Sequence, residues 1–311
     1  MEKLDLFDLH CDTALRMLEE AQPLDENSFA VSLQQATGYR RYVQVMALFT
    51  EPKLSNEDGW VRLLEMYENL RRDPALTQGR ATLGASVPQA REGISLLLGV
   101  EDARILDGHE ERIDTLASMG VRILTPLWRG VTCIGGSHDT DEGLTDFGRR
   151  AIDRALSRGM LADISHASVA SADEIIELSA AHRRPVLATH SNAHAVCSVS
   201  RNLLDGQIDR IVQSGGLIGL NLCTVFLSTE HEPCAEDVVR HADYLLSRGA
   251  ERALALGCDL DGAPLPQELH GLSALSRLAE TFLRHGYSET LVRSIFFENA
   301  DRVLREALTD Q

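Results

Sequence analysis

The chain has 311 residues, 44% of them hydrophobic and 25% charged, an ordinary globular composition with length enough for a large buried core. Thirty Lys and Arg stand against 47 Asp and Glu, a formal net charge of −17, so the basic footprint expected of a nucleic-acid binder is absent. The acidic balance speaks for solubility and names no partner.

The start, MEKLDLFDLHCD, shows no basic segment followed by an apolar stretch, so no secretory leader is expected. No apolar run approaches the ~20 residues that cross a bilayer. The closing EALTDQ lacks the tail of a lipid anchor. The expectation is a cytoplasmic protein without membrane contact. The cysteines Cys11, Cys133, Cys197, Cys223, Cys234 and Cys258 form no Cys-x-x-Cys pair, which excludes a zinc ribbon and a thioredoxin motif. Their scatter suits free thiols in a reducing compartment.

Eight apolar runs predict strands: Leu4–Asp12, Tyr42–Phe49, Ile94–Glu101, Val121–Trp128, Met160–His166, Pro185–Ser191, Leu217–Cys223 and Ala253–Asp259. Between them, apolar residues spaced at three and four predict helices over Gly59–Arg72, Glu110–Ser118, Asp146–Arg158, Ser168–Ala181, Leu204–Ser214 and Glu236–Ser247. Two helical segments, Ser273–Arg284 and Ser288–Leu308, close the chain. Near-continuous apolar strands alternating with helices imply a parallel sheet covered on its outer face. Eight such units without a long linker fit one (β/α)8 TIM-like barrel over residues 1–311. A doubly wound open sheet would want a glycine-rich loop after its first strand, and HCDTALRM contains no glycine.

Barrel chemistry occurs at the C-terminal ends of the strands. Strand one ends His10-Cys11-Asp12, strand three at Glu101, strand five at His166 after Asp163, strand six in Thr189-His190-Ser191, and strand eight in Asp259-Leu-Asp261-Gly262. Taken alone, a strand-end histidine is more often a capping or packing residue than a ligand. Together they put three histidines and several carboxylates on one rim. In H-x-D on a strand, residues i and i+2 share a face, so His10 and Asp12 look into the mouth while Cys11 looks away. Imidazole and carboxylate are the usual ligands of a catalytic zinc. His166 and His190 suit a second ion. Two ions ~3.5–4 Å apart need a bridging anion. Lys3 and Lys53, the two lysines, lie on no predicted barrel-mouth strand end, so neither offers a carboxylated-lysine bridge, and Glu101 takes that place.

The cysteines read as small buried hydrophobes rather than nucleophiles. His194 reads as a cap or support to the site at the start of a helix. His109, His182, His231, His241, His270 and His285 read as solvated. Asp139–Glu142 reads as an exposed loop with a substrate lid as the alternative, and Gly215-Gly216 as a turn.

These residues resemble the membrane (renal) dipeptidase family of zinc peptidases. The matching segments are DLHCDT (8–13), LLLGVEDA (96–103), GLTDFGRRAIDRALSRGMLADISHAS (143–168), PVLATHSNAHAVCSVSRNLLD (185–205), GGLIGLNLC (215–223) and LALGCDLDG (254–262). The resemblance implies a (β/α)8 barrel of the metal-dependent hydrolase type with two zinc ions, cleaving dipeptides and often tolerating a D-residue at the C-terminal position. A homodimer is likewise a family expectation. By this resemblance His10 and Asp12 match the ligands of the first zinc, Glu101 the bridge, and His166 and His190 the ligands of the second. Arg201 matches the arginine that grips the substrate carboxylate. Asp259 matches the aspartate near the scissile bond, a base or amine-binding group, with Asp261 a second candidate for the amine.

The chain departs from the family at Trp128, where many members carry a histidine that contacts the substrate carbonyl. Indole N–H donates one hydrogen bond and cannot carry a proton. His138, in the next loop, is the candidate substitute. The expected mechanism has a hydroxide shared by the two ions attacking the peptide carbonyl, with Asp259 moving the proton to the leaving amine. The competing readings are a binuclear amidohydrolase acting on an N-acyl amino acid, lactam or cyclic amide, and a non-catalytic barrel. The latter is disfavoured because all five ligand positions are filled.

Overall fold

The computed structural model describes residues 3–87 and 92–309. Eight parallel strands surround a common axis: β1 Leu6–Cys11, β2 Arg41–Phe49, β3 Gly93–Glu101, β4 Val121–Thr125, β5 Leu161–Ala162, β6 Leu187–Ala188, β7 Leu217–Leu220 and β8 Leu254–Leu256. Their order is β5-β4-β3-β2-β1-β8-β7-β6, with a two-residue strand, Thr82–Leu83, beside β3. One parallel bridge between Asp163 and Leu187 joins β5 to β6 and closes the circuit. The fold is the expected TIM-like barrel.

The interior holds one inward residue after another around the ring, including Phe7, Leu9, Val43, Val45, Leu97, Ile123, Leu161, Leu187, Leu217 and Ala255. The closing helical run seals the bottom, with Phe297, Ala300, Val303, Leu304, Ala307 and Leu308 in the same apolar cluster. That run is not the single α-helix expected over Ser288–Leu308. It passes from Glu289–Arg293 through a π-helical turn, Ser294–Glu298, into the helix Asn299–Thr309. Each Leu or Phe so buried contributes ~1.5–3 kcal/mol, which lets the lower barrel support a polar upper rim.

Six predicted strands end earlier than expected, and buried side chains explain one pair directly. The Asp163 carboxylate accepts the N–H groups of Ser165 (2.9 Å) and Thr189 (2.9 Å), and the Thr125 hydroxyl at 2.6 Å. These side-chain bonds satisfy main-chain donors that a longer ladder would otherwise hold. The apolar pattern continues past Ala162 and Ala188, while the backbone bonding has already changed partner.

Candidate active site

Local irregularity in β1 aims the first pair. Asp8 pairs with Gln44 and Cys11 with Met46, so β1 carries one extra residue there, a β-bulge. Phe7 and Leu9 belong to the barrel interior and Leu6 and Cys11 to the outer cluster. The extra residue lets His10 follow Leu9 without facing the helices. Cys11 points outward onto Met46, its Sγ 3.5 Å from the Met46 sulfur.

The five strand-end residues His10, Asp12, Glu101, His166 and His190 come together, the first three and His190 buried and His166 partly exposed. Glu101 lies at the centre. His166 Nε2 is 3.0 Å and His190 Nε2 3.3 Å from Glu101 Oε1, and His10 Nε2 is 3.5 Å from Glu101 Oε2. His10 Nε2 lies 3.6 Å from Asp12 Oδ2, and the rings of His10 and His190 stack with centroids 3.7 Å apart.

The hydrogen bonds behind the rings fix their tautomers. His166 Nδ1 donates to the Trp128 carbonyl at 3.0 Å. His190 Nδ1 lies 2.8 Å from Thr189 Oγ1, and that hydroxyl donates to Asp163, so it accepts from the ring. Both imidazoles therefore present bare Nε2 lone pairs, 3.0 Å from each other and both directed at Glu101. Burial lowers the pKa of His166 to about 4, helped by the nearby Arg201 charge, and burial with the neighbouring His10 pushes His190 well down. Protonation thus does not relieve the contact. Burial also raises Asp12 to about 7, opposed by the neighbouring His10. His10 Nε2 and Asp12 Oδ1 are buried without any hydrogen-bond partner. Unpaired buried donors of electron pairs are costly unless a cation completes them. The donor set fits metal.

Asp259 joins the same rim. One ligand-type atom from each of His10, Asp12 and Asp259 falls within 4.8 Å of the others. Its Oδ2 accepts the Asn221 amide at 3.1 Å, and burial raises its pKa. Asp259 (φ 59°) and His166 (φ 68°) both occupy the left-handed region. Such strain, ~1–3 kcal/mol per residue, gathers at functional sites. Gly262 packs directly on this group: a Cβ there would meet Asp12 Oδ2 at 1.9 Å and Asp259 Oδ1 at 2.7 Å.

Arg201 lies buried at the side of the cluster. Its guanidinium donates to Ser191 Oγ (2.8 Å) and to the His190 carbonyl (2.9 Å), while Nε is buried without a partner. Burial lowers its pKa, opposed by the Asp259 and Glu101 carboxylates. Trp128 is half-buried between Phe49, 5.2 Å away, and His166, 6.3 Å away, measured between ring centroids. The His138 ring stands 5.9 Å from that of His166, with Nδ1 3.0 Å from Ser200 Oγ. A 510 Å³ cavity reaches His138, His166, Ser200 and Arg201.

Three expectations are corrected. Asp261 does not face the site: its side chain is fully buried and accepts from Thr13 Oγ1 (2.6 Å), Arg16 (3.2 Å) and the Ala30 N–H (2.8 Å). His241 is not solvated but fully buried. His194 starts no helix, and its N–H pairs with the Leu203 carbonyl at 2.9 Å. Sequence reasoning also passed over Thr189 as a support of His190 and Asn221 as a support of Asp259. Both are ordinary strand-end polar residues, and only the fold reveals what they face.

A parallel barrel with an imidazole and carboxylate cluster at its C-terminal rim is the architecture of a barrel metallohydrolase. The chain belongs to the membrane dipeptidase family, peptidase family M19, whose sequence model matches residues 1–310. It is similar to a Rhodobacter sphaeroides metallopeptidase solved with a phosphinate mimic of L-Ala-D-Ala, at TM-score 0.89 and 28% identity over 98% of this chain and 100% of that one. A solved dipeptidase of family M19 matches with TM-score 0.89 and 29% identity over 99% of each chain. A protein encoded in the pqqA 5′ region of Klebsiella pneumoniae is 33% identical over 237 residues, 71% of this chain and 86% of that protein. Dipeptidase 3 of Macaca fascicularis is 28% identical over 223 residues, 69% of this chain and 45% of its own length. The family and these structures make the chain a metallo-dipeptidase, a hydrolase acting on dipeptides. No helix among the described residues is long and apolar enough to cross a membrane.

Proposed function

We propose that this enzyme hydrolyses the peptide bond of free dipeptides using two zinc ions, and that it accepts a D-residue at the C-terminal position. The observation that carries the metal reading is the pair of bare Nε2 atoms on His166 and His190, facing each other over one Glu101 oxygen. His10 and Asp12 would hold the first ion, His166 and His190 the second, with Glu101 as the shared carboxylate. What bound ions supply is a water acidic enough to attack a carbonyl at neutral pH, the hydroxide source of the reaction.

The protein's own groups do the rest. Arg201 binds the substrate carboxylate through the guanidinium N–H groups not already committed to Ser191 and His190. A guanidinium does this well because two parallel N–H groups match two oxygens. A fixed distance from that clamp to the cluster selects dipeptides over longer chains. Asp259, held by Asn221 and raised in pKa, accepts a proton and delivers it to the leaving amine. Trp128 and His138, whose rings both neighbour that of His166, line the substrate space. The L-Ala-D-Ala mimic in the Rhodobacter sphaeroides enzyme supports acceptance of a D-residue.

The test is elemental analysis of purified protein together with turnover of matched L-Xaa-L-Xaa and L-Xaa-D-Xaa dipeptides. Two zincs per chain and turnover of both series are expected. Metal without dipeptide turnover would move the function to another amidohydrolase reaction. No metal after zinc is added back would overturn the ligand assignment.

A further inference from the structure

Arg201 does not sit on a strand. It is carried by the long connection after β6, residues 192–203, whose ends are tied where the Leu203 N–H meets the Asn192 carbonyl at 2.8 Å. The connection after β7 lies against it. Phe226, in the short helix Thr224–Leu227, places its ring 5.6 Å from the Arg201 guanidinium. Asn202 donates to the Phe226 carbonyl at 2.9 Å. These two loops form one wall of the site, and neither is held by a strand ladder at that level.

His241 reaches this wall from outside. It lies on the helix Ala235–Ser247 of the outer layer and is fully buried. The Ala193 N–H donates to its Nδ1 at 3.2 Å, and its Nε2 donates to the Leu227 carbonyl at 3.1 Å. One nitrogen takes a proton from the β6 loop while the other gives one to the β7 loop. That requires the neutral Nε2–H tautomer and pins both loops to a single helix. Among the described residues the ring's hydrogen bonds go to neither Arg201 nor the His10/Glu101/His190 cluster. Among the natural side chains, imidazole alone supplies an acceptor and a donor on opposite edges of one small rigid ring.

We infer that His241 is a positioning residue for the carboxylate-binding half of the site: it clips the Ala193 and Leu227 backbones together and so holds Arg201 and Phe226 in register. The inference rests on the proposed role of Arg201. It predicts that losing the clip weakens substrate capture while the metal cluster, built on strand ends, stays intact.

The experiment compares wild type, His241→Phe, His241→Asn and Arg201→Met. Each is assayed for KM and kcat on one dipeptide, for inhibition by the C-terminal amide of that dipeptide, and for metal content. His241→Phe keeps the ring and removes both bonds. We expect KM to rise about 10-fold, kcat to change less than about threefold, and metal content and inhibition by the amide to stay at wild-type values. His241→Asn keeps one of the two bonds and should fall between. Arg201→Met tests the underlying reading separately. If it weakens dipeptide and amide equally, the carboxylate role fails whatever His241 does. If Arg201→Met discriminates between them but His241→Phe does not, or lowers kcat and metal content instead, the positioning role is overturned. Should His241→Phe fail to fold, the same split is required of His241→Asn, and its absence is equally decisive.

Discussion

The Arg201 guanidinium donates to the main-chain carbonyl of His190 at 2.9 Å. The same carbonyl accepts the Asn221 amide at 3.1 Å, and that amide also reaches Asp259 at 3.1 Å. One peptide group thus joins the proposed carboxylate clamp, the proposed metal ligand and the proposed proton carrier. Geometry at the three is shared, but the bonds use the backbone of His190, so its imidazole can be removed without cutting them.

His190→Ala should therefore separate metal binding from fold. The carbonyl that holds Arg201 and Asn221 remains, so the melting temperature should stay within a few degrees of wild type. The second ion loses a ligand, and hydrolysis should fall by roughly 10³-fold or more, since metal activation is worth several kcal/mol. Elemental analysis and calorimetry on one preparation check both halves. Full activity with two metals would remove His190 from the site.

Arg201→Met should raise KM for a free dipeptide by roughly 10- to 100-fold, the worth of a charge-assisted bidentate contact. Inhibition by the corresponding C-terminal amide should barely change. Steady-state kinetics on the two ligands measures the difference. Equal losses would show that Arg201 supports the fold of the loop rather than the substrate.

Much of this arrangement was legible in the sequence because strand ends carry both the apolar pattern and the chemistry. His10, Asp12, Glu101, His166 and His190 all follow runs whose burial is readable from composition, and the barrel turns a common register into a common place. What was not legible depended on local departures from that regularity. The bulge in β1 leaves no mark in the apolar alternation. Asp163 shortens β5 and β6 by taking their main-chain donors, although the runs read through to His166 and Ser191. Asp261 and Asp259 sit two residues apart with identical chemistry, and only their packing sends one to the site and the other to Thr13, Arg16 and Ala30. His241 looked like a helix-surface histidine because its partners, two loop backbones, have no side-chain signature.

Gly262→Ala should damage the site without unfolding the barrel. The added Cβ would lie 1.9 Å from Asp12 Oδ2 and 2.7 Å from Asp259 Oδ1, so one carboxylate must move. Metal geometry tolerates little displacement, and a shift near 1 Å costs on the order of 100-fold in rate. We expect kcat/KM to fall by about that factor, with weaker metal retention on dialysis and a near-native melting curve. Wild-type rates would mean that Asp12 and Asp259 have more freedom than their burial allows.

His241 also gives the fold a pH signature. Burial lowers its pKa from 6.5 to about 4, with the Arg240 charge adding to the shift and the bond to the Leu227 carbonyl opposing it. The unfolded chain takes up a proton near pH 6.5, whereas the folded chain resists until about pH 4. The unfolded state therefore binds more protons between those values. The stability from keeping this ring neutral is fully present above pH 6.5, drains as pH falls, and levels off below about pH 4. Over that window the loss amounts to about 3 kcal/mol. Carboxylates titrate in the same range, so the measurement is a difference: urea unfolding of wild type and His241→Phe at steps from pH 7.5 to pH 4.5. Wild type should lose more stability on acidification than the variant, which has no ring to protonate. Parallel curves would show that the buried imidazole takes up its proton as readily in the folded protein as in the unfolded chain.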